Sequence, residues 1–224
     1  LLAARGELPQ GAFARLDWQT RVERFAPLVA RLADDPANWH PLDVDILLPG
    51  GRRLSGRLAA VADGQQRVVS TVDKPHARLL LQAWIDHLAL CAVRGTDCVT
   101  RIECVAGTTR LTAPAQDPVT LLADLVALFD DSHRQPLRFF PKSAWAWASI
   151  VDDDEAKAMS AALRKWDGGY NSQSEPESAD RSFRTCFGHD EFPLAHADFA
   201  LLARRVFSPL LAALADGTDA EGDA

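Results

Sequence analysis

The spacing of apolar residues divides the chain into segments with helical and extended periods. From Ala12 to about Ala33, apolar residues recur every three or four positions, which predicts an amphipathic helix that Pro27 kinks or divides. Val44, Ile46 and Leu48 then alternate with other residues, as in a strand with one buried face. The chain is therefore expected to begin with a helix and continue into a sheet.

Two turn signals predict that this sheet starts as a three-stranded meander. Pro49-Gly50-Gly51 separates the first strand from Arg53–Val61, and Asp63-Gly64 separates that strand from Arg67–Val72. A helix is predicted from Pro75 to about Val93, with apolar residues around nearly its whole circumference. A helix of this kind is buried on more than one side.

The rest of the chain alternates between further strands and helices. The predicted elements are strands at Cys98–Val105 and Arg110–Ala113, helices from Asp117-Pro118 and from Glu155 to about Trp166, an exposed loop at Asp167–Arg181 and a closing helix at Leu194–Ala215. The fold class is α/β (α+β), with a mixed sheet flanked by helices. We expect one domain over residues 1–216, with a core at about 12–140, a helical part at about 141–216 and a disordered acidic tail at 217–224.

The segment from Ser55 to Leu90 resembles the core of a PD-(D/E)XK nuclease without its catalytic residues. Such a nuclease needs two carboxylates that converge on a divalent cation and a Lys that orients the attacking water. Aligned from Gly56 with the RecB-type pattern, the first Asp falls on Ala59, the second acid on Ser70 and the Lys on Val72. None of these side chains can supply the chemistry, so the sequence predicts a vestigial site and no catalytic residue.

Charge weakens the case for DNA binding but leaves a local candidate. The net charge is −7, from 24 Lys and Arg against 31 Asp and Glu, whereas affinity for the DNA backbone comes from many basic contacts. Arg52, Arg53 and Arg57 near the predicted turns are candidate phosphate contacts, with ordinary surface charge as the alternative.

Other clusters of acidic and histidine side chains are candidate metal or cofactor sites. Asp43 and Asp45 share one face of a strand, where the solvent face of an edge strand is an alternative to a displaced nuclease site. Asp73-Lys74 lacks the intervening residue of the nuclease motif, and His189-Asp190-Glu191 with His196 fits no helix-borne zinc pattern. No phosphate-binding glycine loop is present, so neither a metal nor a cofactor is predicted.

Cysteine spacing and hydropathy indicate the compartment. The four cysteines, which are expected to be small buried thiols, have no zinc-like or disulfide-like spacing (Cys91, Cys98, Cys104 and Cys186). No run approaches the ~20 apolar residues of a membrane span, and the first residues do not have the pattern of a signal peptide. We therefore expect a cytoplasmic protein with no membrane partner; the missing initiator Met is consistent with a fragment.

Several collinear segments together resemble the C-terminal domain family of RecC, the gamma chain of exodeoxyribonuclease V. The segments are Gly6–Phe13 with Trp18-Gln19-Thr20, Leu81–Leu88, Pro136–Ser143 with Trp147, and Val206–Leu210. The resemblance implies a nuclease-like core that has lost its site and packs against the RecB motor near the entering duplex, with RecB-type and RecD-type subunits and forked DNA as partners.

The resemblance gives a functional hypothesis with two alternatives. The chain is expected to be non-catalytic by itself and to serve a helicase–nuclease complex for double-strand break repair and recombination as a rigid wedge and docking surface. One alternative is an active metal-dependent nuclease with a displaced acidic site. The other is an assembly module that never touches DNA.

Overall fold

Five strands form one mixed sheet in a computed structural model that describes residues 12–33, 39–62, 64–168, 175–188 and 193–215. The strands are β1 (His40–Leu47), β2 (Arg53–Ala62), β3 (Gln66–Ser70), β4 (Val99–Cys104) and β5 (Gly107–Leu111), in that spatial order. β1, β2 and β3 form the predicted antiparallel meander, β3 and β4 are parallel, and β4 and β5 form a second hairpin.

A bulge bends β2 at its middle. Leu42 pairs with Leu58 and His40 pairs with Val61, so β2 has one more residue than β1 over this stretch. Ala60, at the bulge, has a positive φ of 54°, a conformation that is unfavourable for a residue with a side chain. Beyond the bulge β2 pairs with β3, so this distortion is where the strand changes partners.

The parallel connection between β3 and β4 is made by α2 (Ala77–Arg94), which lies at the centre of the molecule. His76 accepts a hydrogen bond from the Leu79 amide at the N-terminus of this helix. α2 packs on β1 and β4 with one side and on other helices with the opposite side. Trp84, Leu88 and Leu90 are almost completely buried, as its apolar circumference predicts.

The remaining helices build a second layer over α2. They are α3 (Pro118–Ser132), α4 (Pro141–Ala148), α5 (Glu155–Asp167), α6 (Arg181–Phe187) and α7 (Ala197–Ala215). Asp117 and Asp154 accept backbone amides at the start of α3 and α5, each at 2.9 Å, as the sequence signals indicate. Within the described residues, no helix has the length and apolar character required to cross a membrane.

α1 (Ala12–Ala33) lies on the sheet face opposite α2. Thr100 of β4 binds His87 of α2, whereas Glu103, on the other side of the same strand, binds Arg31 of α1. The helix continues through Pro27. The predicted helix is confirmed, but of its apolar side chains only Leu28 is buried within the described part of α1.

The structure also corrects two predictions and adds one helix. The expected loop at Asp167–Arg181 contains a short 3-10 helix (Glu177–Ala179) with a buried glutamate. α6 was not predicted, and Cys186 at its end is exposed, whereas the other three cysteines are buried as expected. The segments 169–174, 189–192 and 216–224 lie outside the described residues, and with them His189-Asp190-Glu191 and the acidic tail.

Candidate functional site

The three vestigial positions lie at exposed points of the meander. Ala59 is at the bulge of β2, Ser70 is the last residue of β3 and Val72, 45 % exposed, follows that strand. Ser70 is in register with Glu103, which faces α1. Ser70 therefore projects from the α1 face of the sheet, and strand alternation places Ala59 there as well, opposite the buried Leu58.

A buried ion pair stands next to Ser70 on this face. Glu103 is 2 % exposed, and its Oε2 accepts Arg31 Nε at 3.0 Å and the Thr108 hydroxyl at 2.7 Å. Arg31 also donates to the backbone carbonyl of Cys104. The carboxylate in register with Ser70 is thus already paired with an arginine, and this ion pair joins α1 to the sheet.

Each of the three candidate DNA-contacting arginines is exposed and has a carboxylate partner. Arg52 pairs with Asp130 of α3, Arg53 with Asp45, and Arg57 with Asp43 at 2.7 Å. Hydrogen bonds with Asp45 raise the pKa of Arg53, and the same contact lowers the pKa of Asp45. The cross-strand pairs lie on the solvent face of the hairpin and reduce the positive potential available to phosphates; DNA contact by these arginines stays a prediction.

The acidic residues that a displaced nuclease site would use are also paired with arginines. Asp43 and Asp45 lie on the exposed face of edge strand β1 and bind arginines, and Asp73 binds Arg24 of α1 at 3.1 Å in the connection before α2. Among the described residues, no three His, Cys, Asp or Glu side chains are grouped as potential metal ligands.

Three large apolar side chains lie on one side of α1 and are exposed by 49 to 60 %. This α1 apolar face comprises Trp18, Val22 and Val29, whereas the exposed Phe13 and Leu16 lie on other sides of the helix. Large apolar side chains that share one exposed helix face make this side of α1 a candidate interaction surface.

The two tryptophans of α4, Trp145 and Trp147, have different environments. Trp147 is 2 % exposed and contacts Phe199, so it belongs to the core. Trp145 is partly exposed, packs edge-on against Phe207, and lines a groove of about 340 Å³ between β5 and the ends of α2 and α7. Of the pair, Trp145 is the one that a ligand can reach.

His87 of α2 is fully buried between that helix and the sheet. Its Nδ1 lies 3.0 Å from the Thr100 hydroxyl and its Nε2 lies 2.9 Å from the Thr112 carbonyl oxygen. Desolvation lowers the pKa of this imidazole to about 4. The side chain serves the core, not a surface site.

Glu177 is a residue whose role the sequence did not reveal. It is 2 % exposed, and its two carboxylate oxygens accept the amides of Lys142 at 2.9 Å and Ser143 at 2.7 Å at the start of α4. Phe140, at the N-cap of that helix, provides no side-chain cap, so the helix start is capped instead by Glu177, which lies 35 residues after Lys142.

Comparison with known families identifies the class of protein to which this fold belongs. A family model described as the RecC C-terminal domain matches residues 1–151, about two thirds of the chain. The chain therefore belongs to the RecC C-terminal domain family.

Individual relatives agree with this assignment. The chain is similar to RecBCD enzyme subunit RecC of Mycolicibacterium smegmatis, with 38 % identity over 168 residues, covering 69 % of this chain and 15 % of the relative. The corresponding subunit of Mycobacterium tuberculosis H37Rv is 35 % identical over 159 residues, and that of Escherichia coli K12 is 25 % identical over 162 residues. These matches cover 67 % and 70 % of this chain and 14 % of each relative. The chain thus corresponds to about one seventh of the length of these subunits.

Proposed function

We propose that this chain is a non-catalytic, nuclease-like domain of a RecC-type subunit. It docks a RecB-type motor and helps split or guide duplex DNA in a cytoplasmic helicase–nuclease complex, with a RecD-type subunit, that acts in double-strand break repair and recombination. Family membership supports the assignment, because the relatives are named as subunits of the RecBCD enzyme. The observation that carries the docking role is the exposed α1 apolar face.

The order of elements supports a PD-(D/E)XK-like core. One helix is followed by a three-stranded antiparallel meander, a crossover helix and a parallel strand. The vestigial positions Ala59 and Ser70 share the α1 face of this sheet. They offer no carboxylate, and the adjacent Glu103 is bound to Arg31. A framework in this state has shape but no group that could hold a catalytic cation.

The α1 apolar face supports docking because an isolated domain gains nothing from exposing it. One aromatic and two aliphatic side chains of this face, Trp18, Val22 and Val29, are exposed, and aromatic side chains are prominent among the residues that dominate the binding energy of protein interfaces. The proposed occupant is the RecB-type subunit. The arginines of the β1–β2 hairpin, Arg52, Arg53 and Arg57, are proposed to contact phosphates once duplex DNA competes for them.

The docking test uses a RecBCD-type complex assembled with the full RecC-type subunit that contains this domain. Trp18→Asp combined with Val22→Asp is expected to weaken capture of the RecB-type subunit at least about 30-fold, because each buried anchor contributes roughly 1–3 kcal/mol. The control variant carries Gln19→Asp and Ala30→Asp, which add the same charge to the polar side of α1. Equal capture by both variants, or crosslinks from α1 to its own subunit alone, would reject the proposed occupant.

The alternatives are separated by two further assays. Cleavage of linear DNA by the purified chain with Mg²⁺ or Mn²⁺, lost on Asp43→Ala, would establish the displaced nuclease instead. Crosslinking on a forked substrate in the full complex tests DNA contact. Adducts on this domain support the guiding role, and their absence would leave a pure assembly module, which the carboxylate partners of the three arginines favour.

A further inference from the structure

A second basic surface, on α6, differs from the hairpin in having arginines without carboxylate partners. Arg181 and Arg184 are exposed and lie three residues apart, on one side of the helix. Neither forms an ion pair within the part of the chain that the structure describes. Together with Ala179 and Thr185 they line an open depression of about 510 Å³.

Among the described residues, the two carboxylates that most closely precede α6 in the chain have other partners. Asp180 caps α6 by accepting the Ser182 amide at 2.9 Å and binds Arg78 of α2 at 3.1 Å. Glu177 points into the protein and holds the start of α4. Asp180 and Glu177 are thus already bound to other groups, and within the described ranges no carboxylate pairs with either arginine.

The helix that carries these arginines is firmly attached. Phe183 and Phe187, on the inward side of α6, pack edge-on against buried Phe140, with ring centroids 5.0 and 5.4 Å from that of Phe140. Phe183 also contacts Trp166 of α5. Because the apolar side is anchored, the two guanidinium groups extend from a fixed base, and less conformational freedom is lost when they bind a ligand.

We propose that the α6 surface formed by Arg181 and Arg184 binds the phosphodiester backbone of a nucleic acid strand. Guanidinium groups match phosphate oxygens in geometry and charge. Successive phosphates of one strand are several ångströms apart, which suits two long side chains that project from one helical turn into a shared depression. This inference rests on the proposed role in handling DNA. It places one DNA contact on α6, separate from the arginines of the β1–β2 hairpin.

The test measures binding of the 224-residue chain to fluorescent 30-mer DNA, single-stranded and duplex in separate arms, by anisotropy at several salt concentrations. Arg181→Ala with Arg184→Ala is expected to weaken binding at least about tenfold at 0.1 M salt. It should also lower the slope of log affinity against log salt by about 1.8 on duplex or 1.4 on single strands, the contribution of two phosphate contacts. Because both side chains are exposed, the variant is expected to keep the wild-type circular dichroism spectrum.

The control is Arg21→Ala with Arg24→Ala, which removes the same charge from α1. Equal losses of DNA affinity in both double variants would show that net charge alone explains the effect, and would overturn the α6 site. Loss of binding in Arg53→Ala with Arg57→Ala but not in the α6 variant would also overturn it, while supporting the proposed function through the hairpin. No binding of either DNA by the wild-type chain would count against both the α6 site and DNA handling.

Discussion

Replacing Glu177 with alanine tests whether a remote carboxylate holds the helical layer together. The substitution removes two hydrogen bonds of 2.9 and 2.7 Å to backbone amides at the start of α4. A hydrogen bond to a charged partner contributes roughly 1.5–3 kcal/mol, and a carboxylate at a helix N-terminus adds about 0.3–1 kcal/mol. Some of this is recovered because water can reach the half-buried Lys142 amide, so we expect a loss of about 3 kcal/mol.

Urea unfolding at pH 7 is the appropriate assay. With a slope of about 2–3 kcal/mol per molar urea for a chain of this size, the midpoint should fall by about 1–1.5 M without a change in slope. Glu177→Gln keeps one acceptor oxygen and should lose about half as much. Glu175→Ala is the control, because Glu175 uses its backbone carbonyl, not its carboxylate, to bind Lys142. A loss below about 0.5 kcal/mol for Glu177→Ala, the range of ordinary surface changes, would refute this reasoning.

Two further predictions concern the core and a helix end. In the unfolded chain His87 has its ordinary pKa of about 6.5, whereas in the folded protein its pKa is lowered to about 4. Stability should therefore be complete above pH 6.5 and fall by about 3 kcal/mol by pH 4; urea midpoints across this range should show a shallower fall in His87→Gln. Gly168 ends α5 with φ of 80°, where an added Cβ would lie 2.8 Å from Pro176 Cβ. Gly168→Ala should cost about 1–2 kcal/mol by the same assay, against less than about 0.5 kcal/mol for Gly56→Ala, which meets no neighbour and has no positive φ. A flat pH profile, or equal costs at the two glycines, would contradict these accounts.

Local signals in the sequence were sufficient for most elements near the sheet. The alternation around Val44 and the turn at Pro49–Gly51 predicted the first hairpin, and Asp117-Pro118 marked the start of α3. These features act over a few residues, so their physical causes can be read directly from the sequence. The all-round apolar character of α2 similarly predicted its central position.

What the sequence could not show depends on contacts between distant residues. Glu177 looks like a surface residue until the fold brings it to α4, and the pairing of Arg52 with Asp130 spans 78 positions. α6 was missed because seven residues are too short to establish a helical period. The spacing of Phe183 and Phe187 after a capping Asp180 is the signal that could have found it.

The sequence predicts the residues of the candidate site but not their surroundings. Aligning the strands predicts Ala59, Ser70 and Val72 as vestigial positions, which stays a prediction, whereas the neighbouring pair of Arg31 and Glu103 becomes visible only when β3 and β4 lie side by side. Likewise, periodicity predicted that α1 has an apolar face, but not that this face would stay exposed. Periodicity shows which side of a helix is apolar, but not which other surface covers that side.

Mn²⁺ binding measured by calorimetry, on the wild-type chain and on a variant with Ala59→Asp, Ser70→Asp and Val72→Lys, tests the central claim most directly. The account predicts no saturable binding to the wild-type chain at millimolar Mn²⁺, and measurable binding once the two carboxylates are restored to the sheet face that holds Ser70. Saturable binding by the wild-type chain that disappears on Asp43→Ala would contradict it, because a working cation site would then exist on the β1–β2 hairpin.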